Sequence, residues 1–154
     1  MTKISLNMLE IKTKTFLELT KQELYDLLQL RSEVFVVEQD CVYQDIDGKD
    51  QKALHVLGFK NEKLVAYTRI FKPGDYFSAS SIGRVVVAKN QRQFKYGYDI
   101  VNASAEAIKH HFNETTIKIS AQCYLKRFYT NLGFLEIGEE YLEDDSPHIA
   151  MIRV

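Results

Sequence analysis

Three cations and a glycine lie close together where an apolar strand gives way to a helix. The strand ends at Val85-Val86-Val87, the polar loop carries Lys89, Arg92 and Lys95, and Gly97 lies at the start of the helical pattern. The first N–H groups of a helix lack internal partners and carry partial positive charge, so this junction could bind phosphate. Gly97 has no side chain and would let a pyrophosphate approach the backbone closely. An ordinary strand-to-helix turn with solvated cations is the alternative interpretation.

Other phosphate and metal motifs do not fit. The chain has no GxxxxGK[ST] run and no GxGxxG after a first strand, which excludes a P-loop and a dinucleotide fingerprint. The acidic run Asp45-x-Asp47-Gly48-x-Asp50 differs from an EF-hand, because glycine is fourth and Val56 is twelfth. We therefore expect no metal. The two cysteines form neither a CxxC pair nor a zinc pattern, and we expect both to be free thiols.

Hydrophobic periodicity predicts an alternating order of strands and helices around this junction. Thr20 and Glu23 form a capping box at the start of the first helix. Helices are predicted over 21–35, 97–112 and 123–132, and strands over 9–13, 53–59, 64–71, 81–87, 116–120, 134–138 and 148–153. The crossover between the fourth and fifth strands implies one parallel pair within a mainly antiparallel sheet.

Composition limits the class of protein. Hydrophobic residues make up 45% of the chain and charged residues 27%, with a net charge of -1, so nothing draws it in bulk to nucleic acid or an anionic membrane. The apolar runs are too short to span a bilayer, and the first residues lack the apolar stretch of a signal peptide. We expect one domain over 1–154 and a cytoplasmic location. The oligomeric state is open, with a homodimer as one option.

Three separated segments resemble the GNAT acetyltransferases. Arg92, Lys95 and Gly97 match the Arg/Gln-x-x-Gly-x-Gly/Ala motif that follows an apolar strand in that family, except that Lys95 replaces the middle glycine. Gln122 and the run from Phe128 to Phe134 resemble the second GNAT signature. The runs 31–47 and 141–151 are similar to the ElaA-like subfamily. The resemblance implies a GNAT fold of the α/β (α+β) class: a mixed, mostly antiparallel sheet of six to seven strands with helices on both faces.

The same resemblance implies an enzyme and a co-substrate. A GNAT protein transfers an acetyl group directly from acetyl-CoA to a primary amine, here of a small molecule or a peptide. Two alternatives stay open: a non-catalytic acyl-CoA-binding regulatory module, and a relative of the acyl-homoserine-lactone synthases. The second is disfavoured because those synthases usually carry a tryptophan after the first helix and this chain has none.

Family positions assign roles to individual residues. Tyr129 is expected to be the general acid that protonates the CoA sulfur, and Glu38 or His148 the base that deprotonates the amine. Asp47, His55 or a relayed water are other candidates for the base. The residues expected to bind CoA are Val85, Val86, Val87, Arg92, Gln93, Phe94, Lys95, Tyr96, Gly97, Tyr98, Gln122 and Tyr129. The residues expected to contact the acceptor are Arg31, Phe35, Glu38, Asp47 and His55.

Overall fold

The structure is a computed structural model that describes residues 8–154. Its strands are β1 (Glu10–Thr15), β2 (Leu54–Lys60), β3 (Lys63–Phe71), β4 (Ser80–Val87), β5 (Ile117–Gln122), β6 (Leu135–Glu143) and β7 (Ser146–Arg153). Its α-helices are α1 (Lys21–Arg31), α2 (Tyr96–Phe112) and α3 (Lys126–Asn131). A π-helix spans Ser32–Glu38, and short 3-10 helices span Asp50–Lys52, Lys89–Phe94 and Cys123–Leu125. Among these residues no helix is long and apolar enough to cross a membrane.

The seven strands form one mixed sheet in the order β1-β2-β3-β4-β5-β7-β6. Every neighbouring pair is antiparallel except β4 and β5, which confirms the predicted single parallel pairing. That parallel pairing is short, because Ser80 lies beside Ile117 and Ser81 beside Lys118 and no further partners follow. The two central strands therefore separate toward their carboxyl ends and leave a gap in the middle of the sheet.

A bulge in β4 accompanies this separation. Tyr67 of β3 pairs with Val86, and Arg69 pairs with Gly83, so three steps along β4 oppose two steps along β3. Within the bulge Arg84 has a φ of 52°, a left-handed conformation that costs a residue with a Cβ roughly 1–2 kcal/mol. The surrounding contacts must offset this cost.

Helices cover both faces of the sheet, as predicted. Ile100, Val101 and Ile108 of α2 are fully buried against β2 to β5, together with Phe134 after α3. On the opposite face Leu27 of α1 packs in a smaller cluster of buried apolar residues, which also contains Leu30, Val34, Leu57, Leu64, Tyr67 and Val86. The apolar strands of the centre are thus buried on both sides, as their β-branched composition predicts.

The first helix begins as predicted and ends earlier. Its capping box is present, since Glu23 N donates to Thr20 Oγ1 at 3.0 Å and Thr20 N donates to Glu23 Oε1 at 2.9 Å. A single α-helix over 21–35 is wrong, because the π-helix takes over after Arg31. Its wider turn is visible at its end, where Gln39 N donates to Val34 O at 3.2 Å. π-helical turns within α-helices are frequent at functional sites.

Three arginines and three aspartates form a buried ionic cluster beside the bulge. Arg31 is fully buried and contacts Asp45 through Nε at 2.8 Å and Asp50 through Nη1 at 2.7 Å. Arg69 of β3 contacts Asp50 at 3.0 Å and forms a two-bond pair with Asp47, at 2.8 and 2.6 Å. The charges balance within the cluster, as buried charges require.

Arg84 is the third arginine of this cluster. Its Nε lies 2.8 Å from Asp45 Oδ1, its Nη2 donates to Asp45 O at 3.0 Å, and the same Nη2 lies 3.4 Å from Asp47 Oδ2. Through these contacts, the loop that follows the π-helix fixes Arg84, the left-handed residue of the β4 bulge. The acidic loop of the sequence therefore folds inward and fixes the central strand.

The pKa of Asp50 shows which force dominates in the cluster. Burial alone would raise this pKa, but hydrogen bonds and charge from Arg31 and Arg69 outweigh burial and leave the pKa below its usual value. A carboxylate with a lowered folded-state pKa stabilises the fold above its unfolded-state pKa, near 4. That stabilisation is lost as pH falls through the folded-state pKa.

We expect Asp50→Asn to lower the free energy of unfolding by about 3–5 kcal/mol at neutral pH, because two buried guanidinium groups lose their shared carboxylate. The difference from the wild type should begin to narrow as pH falls below about 4, where Asp50 of the unfolded chain takes up a proton, and should close only as pH falls through the lower folded-state pKa. Urea unfolding across this pH range measures both. Glu136→Gln, which removes an exposed partner of Lys126, is the control and should change stability by about 0.5 kcal/mol or less. An equal effect of the two variants would contradict the role of the cluster.

Candidate active site

A cleft opens where β4 and β5 separate. Its volume is about 920 Å³ and it is open to solvent. One wall is β4 from Ile82 to Val85, and the other is β5 with Ile119, Ser120 and Gln122. Phe35 of the π-helix and the segment 39–43 cover one side of the cleft, while Tyr124, Leu125, Tyr129 and the β6–β7 turn with His148 cover the other. Parallel strands of α/β sheets place ligand sites at such carboxyl ends.

Tyr129 of α3 lines this cleft with most of its side chain buried. Only 6% of the residue is exposed, and its hydroxyl makes no hydrogen bond within residues 8–154. Burial raises the pKa of the Tyr129 phenol, with a smaller contribution from Tyr124. The hydroxyl is thus protonated at neutral pH, is available as a proton donor, and has no protein partner to displace.

The edge of β4 supplies backbone donors to the same cleft. Ala88 N donates to Val65 O of β3 at 2.8 Å, so the alternation of a strand directs the N–H groups of Val87 and Val85 to the opposite edge. From Ile82 onward the described strands leave that edge unpaired. The side chain of Val86, by contrast, is buried in the cluster under α1. An extended ligand could therefore pair with the backbone of β4 as a strand would.

The residue before α2 has a left-handed backbone, at the position where the GNAT motif has its middle glycine. Lys95 adopts φ 60° and ψ 31°, and its exposed side chain does not cap the helix. Glycine reaches this conformation without strain, which explains its place in the motif, whereas lysine does so at a cost. The first N–H groups of α2 follow directly. The junction thus keeps its backbone turn while adding a cation.

Arg92 is held by a residue of the π-helix. Its Nη1 and Nη2 donate to the two carboxylate oxygens of Glu38, at 2.7 and 2.9 Å, and its Nε and Nη2 also donate to Val87 O at 3.3 and 3.2 Å. The pair is partly exposed, and its hydrogen bonds lower the pKa of Glu38. A carboxylate with a lowered pKa is a weaker base, and Glu38 is not among the residues that line the cleft.

Gly97 serves packing in this structure. A Cβ on Gly97 would lie 3.1 Å from Phe128 Cε1 and 3.2 Å from Phe128 Cζ, tighter than a normal contact. Phe128 also packs against Tyr98, with ring centroids 4.8 Å apart. The glycine therefore lets α3 approach the first turn of α2, and this face of Gly97 is not open to a phosphate.

Aromatic and amide residues around the junction differ in exposure. Tyr96 is fully buried, so it can offer a ligand only its backbone. Phe94 is half-buried beneath Lys60, whose Nζ lies 3.6 Å from the ring centroid, and Gln93 is exposed. Gln122 lines the cleft and donates from Nε2 to Gln39 Oε1 at 3.2 Å.

A second group of polar side chains lies at the opposite end of the cleft. His148 Nδ1 lies 2.8 Å from Ser146 O, and His148 Nε2 lies 3.3 Å from Glu143 Oε2. Ser120 Oγ donates to Glu143 Oε1 at 3.3 Å and also forms a short hydrogen bond with the Tyr141 hydroxyl. His148 is thus the one candidate base from the sequence that lines the cleft.

Of the five residues expected to contact the acceptor, four lie outside the lining of the cleft: Glu38, which pairs with Arg92, and three others. Arg31 and Asp47 belong to the buried ionic cluster. His55 is fully buried, with Nδ1 2.6 Å from Tyr67 Oη and Nε2 2.9 Å from Asp50 O, and burial lowers its pKa. Their side chains are occupied by protein partners. Phe35 is the member of that set that lines the cleft.

The sequence analysis assigned no role to Arg69, Arg84, Ser120 or Glu143. The sequence does indicate that Arg69 and Arg84 are buried and paired, since each is a charged residue inside an apolar strand and so needs a buried partner. Ser120 and Glu143 gave no comparable signal, because a serine in a strand and an acidic turn are common surface features.

A family model described as an acetyltransferase (GNAT) domain matches residues 17–154. Over 138 residues the chain is also 46% identical to protein ElaA of Escherichia coli K12, a match that covers 88% of this chain and 90% of ElaA. The chain belongs to the GNAT acetyltransferase family. Within GNAT it is ElaA-like, as the runs 31–47 and 141–151 predicted.

Solved GNAT structures agree with this assignment. An acyl-CoA N-acyltransferase from Pseudomonas aeruginosa superposes with a TM-score of 0.88 at 40% identity, over 95% of this chain and 99% of that chain. Escherichia coli ElaA superposes with a TM-score of 0.87 at 44% identity, over 96% and 100% of the two chains. The acyl-homoserine-lactone synthase LasI has a TM-score of 0.72 at 14% identity, over 94% of this chain and 88% of LasI, and shares the fold. The GNAT fold and an enzyme of the acyltransferase class follow.

Between residues 8 and 154 no three His, Cys, Asp or Glu side chains are arranged to hold a metal ion. Cys41 and Cys123 are free thiols, as expected.

The left-handed backbone of Lys95 predicts an inverted order of two substitutions. Lys95→Gly should give a protein about 0.5–1 kcal/mol more stable than Lys95→Ala, because alanine retains the strained Cβ. At Lys109, an exposed position within α2, the order should reverse, with glycine about 0.5–1 kcal/mol less stable than alanine. Thermal or urea unfolding of the four variants measures this. The same order at both positions would show that Lys95 is not strained.

Proposed function

We propose that this GNAT protein transfers an acetyl group from acetyl-CoA to a primary amine of a small molecule or peptide, without a covalent enzyme intermediate. The observation that carries the proposal is the cleft between β4 and β5, which has unpaired β4 amides on one wall and the mostly buried Tyr129, whose hydroxyl makes no hydrogen bond among the described residues, on the lining. A thioester donor needs both features. Its extended arm pairs with a strand edge, and its leaving sulfur needs a proton.

The donor's diphosphate is assigned to the junction between β4 and α2. The first N–H groups of α2 and the exposed side chains of Arg92 and Lys95 supply positive charge there. Tyr96 and Gly97 contribute backbone only, and Phe94 and Tyr98 flank the site. Because lysine replaces the middle glycine of the motif, we expect binding to depend on side-chain charge and therefore on salt.

The chemical step uses groups at the point where the strands separate. The acceptor nitrogen attacks the thioester carbonyl after losing a proton, and His148 is the assigned base because it lines the cleft. The carbonyl oxygen becomes negative and is stabilised by an N–H of β4. The C–S bond then breaks, and Tyr129 protonates the departing thiolate. Cys41 is not used, because no neighbouring group is placed to activate it.

Acetyl-CoA binding followed by calorimetry, and turnover on a panel of primary amines followed by mass spectrometry, test the proposal together. Stoichiometric binding and acetylated amine support it. Binding without transfer to any amine would favour a regulatory acyl-CoA-binding module. No binding at all would overturn the assignment of the cleft.

Tyr129→Phe should lower kcat by about 10²-fold or more while leaving acetyl-CoA affinity nearly unchanged, since only the proton donor is removed. Tyr25→Phe is the matched control, because Tyr25 is an exposed tyrosine of α1 far from the cleft. Steady-state kinetics with the best amine of the panel measure both. A Tyr129→Phe enzyme with wild-type kcat would remove Tyr129 from the mechanism.

Glu38→Ala should tighten acetyl-CoA binding by about 3- to 10-fold at low salt. The variant frees Arg92 and removes a negative charge from the phosphate site, where each such charge costs roughly 1 kcal/mol. The gain should shrink at high salt. Glu33→Ala, another exposed glutamate of the π-helix without an ion pair among the described residues, should bind as the wild type does. Weaker binding by Glu38→Ala would mean instead that Glu38 holds Arg92 in its binding position.

A further inference from the structure

Glu143 and His148 lie side by side on the wall of the cleft that the β6–β7 turn forms. The carbonyl of Ser146 can only accept, so His148 Nδ1, 2.8 Å away, carries the hydrogen. A neutral imidazole then has its lone pair on Nε2. Glu143 Oε2 lies 3.3 Å from that nitrogen and is also an acceptor. In that neutral tautomer the two lone pairs face each other, and a donor that reaches both atoms could bond to each of them.

A primary ammonium supplies such donors. It carries three N–H groups and a positive charge, so one group can bond the carboxylate of Glu143 while another points at His148 Nε2. The side chain of His148 is 9% exposed and that of Glu143 is 45% exposed, which leaves an approach from solvent on the carboxylate side. Other carboxylates on the cleft wall, those of Asp40, Asp144 and Asp145, add to the negative potential on this approach.

The carboxylate of Glu143 is itself held in place. Ser120 Oγ donates to its second oxygen, Oε1, at 3.3 Å. The Tyr141 hydroxyl bonds to Ser120, and the Tyr141 ring stacks on His148 with centroids 6.2 Å apart. Ser120, Glu143 and His148 line the same cleft as Tyr129. Glu143 and His148 are therefore held in position by neighbouring side chains, and both face the candidate active site.

We propose that Glu143 and His148 together form the subsite that receives the acceptor's ammonium group and removes its proton. The inference rests on the proposed acetyl transfer and narrows its acceptor to amines that arrive as cations. Glu143 binds the ammonium through its carboxylate, and His148 Nε2 accepts one proton from it. Glu143 then stabilises the imidazolium by accepting a hydrogen bond from Nε2.

The protons balance over one turnover. The ammonium gives one proton to His148, and the resulting amine forms a C–N bond to the acetyl carbon. The C–S bond breaks, and the thiolate takes a proton from Tyr129. The new amide nitrogen sheds its extra proton, which restores Tyr129 through solvent. His148 releases its proton past Glu143, so acetyl-CoA and an ammonium give an amide, CoA and one proton.

Comparing a charged with an uncharged amine acceptor distinguishes binding and deprotonation of an ammonium group by Glu143 and His148 from a purely structural role of these residues. The probes are n-butylamine, which is an ammonium at neutral pH, and methoxyamine, which is uncharged there and needs no deprotonation. We expect Glu143→Gln to lower kcat/KM for n-butylamine by about 10- to 100-fold and to change that for methoxyamine by about threefold or less. His148→Gln should show the same selective loss, mainly in kcat. Product is measured by mass spectrometry after subtraction of the enzyme-free rate.

Glu139→Gln is the matched control, since Glu139 is an exposed glutamate of β6 that does not line the cleft. It should keep wild-type rates with both amines. An equal loss with both probes in Glu143→Gln would indicate distortion of the cleft and overturn the subsite. An equal loss in Asp145→Asn would assign the effect to general negative potential and also overturn it. If the wild-type protein acetylates neither probe nor any amine of the panel, the proposed acetyl transfer itself is wrong. If the wild-type protein acetylates both probes but Glu143→Gln shows no selective loss, only the subsite is wrong.

Discussion

The buried contact between Arg84 and the aspartates of the 45–50 loop is the constraint on which the cleft depends. A strand residue at φ 52° would relax to an extended conformation if nothing opposed it. Asp45 holds its guanidinium through both a carboxylate oxygen and the backbone carbonyl. The bulge that results turns β4 away from β5, and this separation creates the space that lies between the two strands.

The same cluster joins parts of the chain that are far apart in sequence. Arg31 belongs to the first helix, Arg69 to β3 and Arg84 to β4, and they share three carboxylates from one loop. Hydrophobic residues of similar volume would stabilise a fold at least as well as a buried ion cluster does. A charged cluster, however, restricts the geometry to one arrangement of guanidinium and carboxylate planes. That restriction suits a site whose bulge must not slip by a residue.

Charge is distributed unevenly along the cleft. Lys89, Arg92 and Lys95 lie outside the lining of the cleft, in the segment that joins β4 to α2, whereas Glu143 and its neighbouring aspartates line the cleft at the β6–β7 turn. The π-helix runs between these ends, because Phe35 lines the cleft and Glu38 pairs with Arg92. An anionic donor and a cationic acceptor would thus be attracted to different ends of one space, and the reacting atoms would meet between them, beside Tyr129.

The sequence predicted those features that depend on local patterns. Periodicity located every strand and the start of α1, and both Tyr129, singled out by its family position, and His148, singled out as a titratable side chain, line the cleft. The burial of Arg31 and Asp47 could not be predicted in this way, because a charged residue in a helix or loop has the same pattern whether it points to solvent or to a buried partner. His55 lies in β2, where a histidine gives the same pattern whether it binds a ligand or a protein partner. The change from α- to π-helix after Arg31 was likewise hidden, since α and π turns place apolar residues at similar spacing.

Gly97 shows why motif spacing can be right while its physical reason differs. The glycine expected to admit a phosphate instead admits Phe128, and Phe128 directly precedes Tyr129 in α3. Their rings lie 4.9 Å apart at a steep angle, so the position of one limits the other. A Cβ at Gly97 would require the Phe128 ring to shift by a few tenths of an ångström, and the adjacent Tyr129 packs against that ring. The start of α2 therefore has two separate tasks: Lys95 provides its turn and charge, and Gly97 provides the space in which α3 packs.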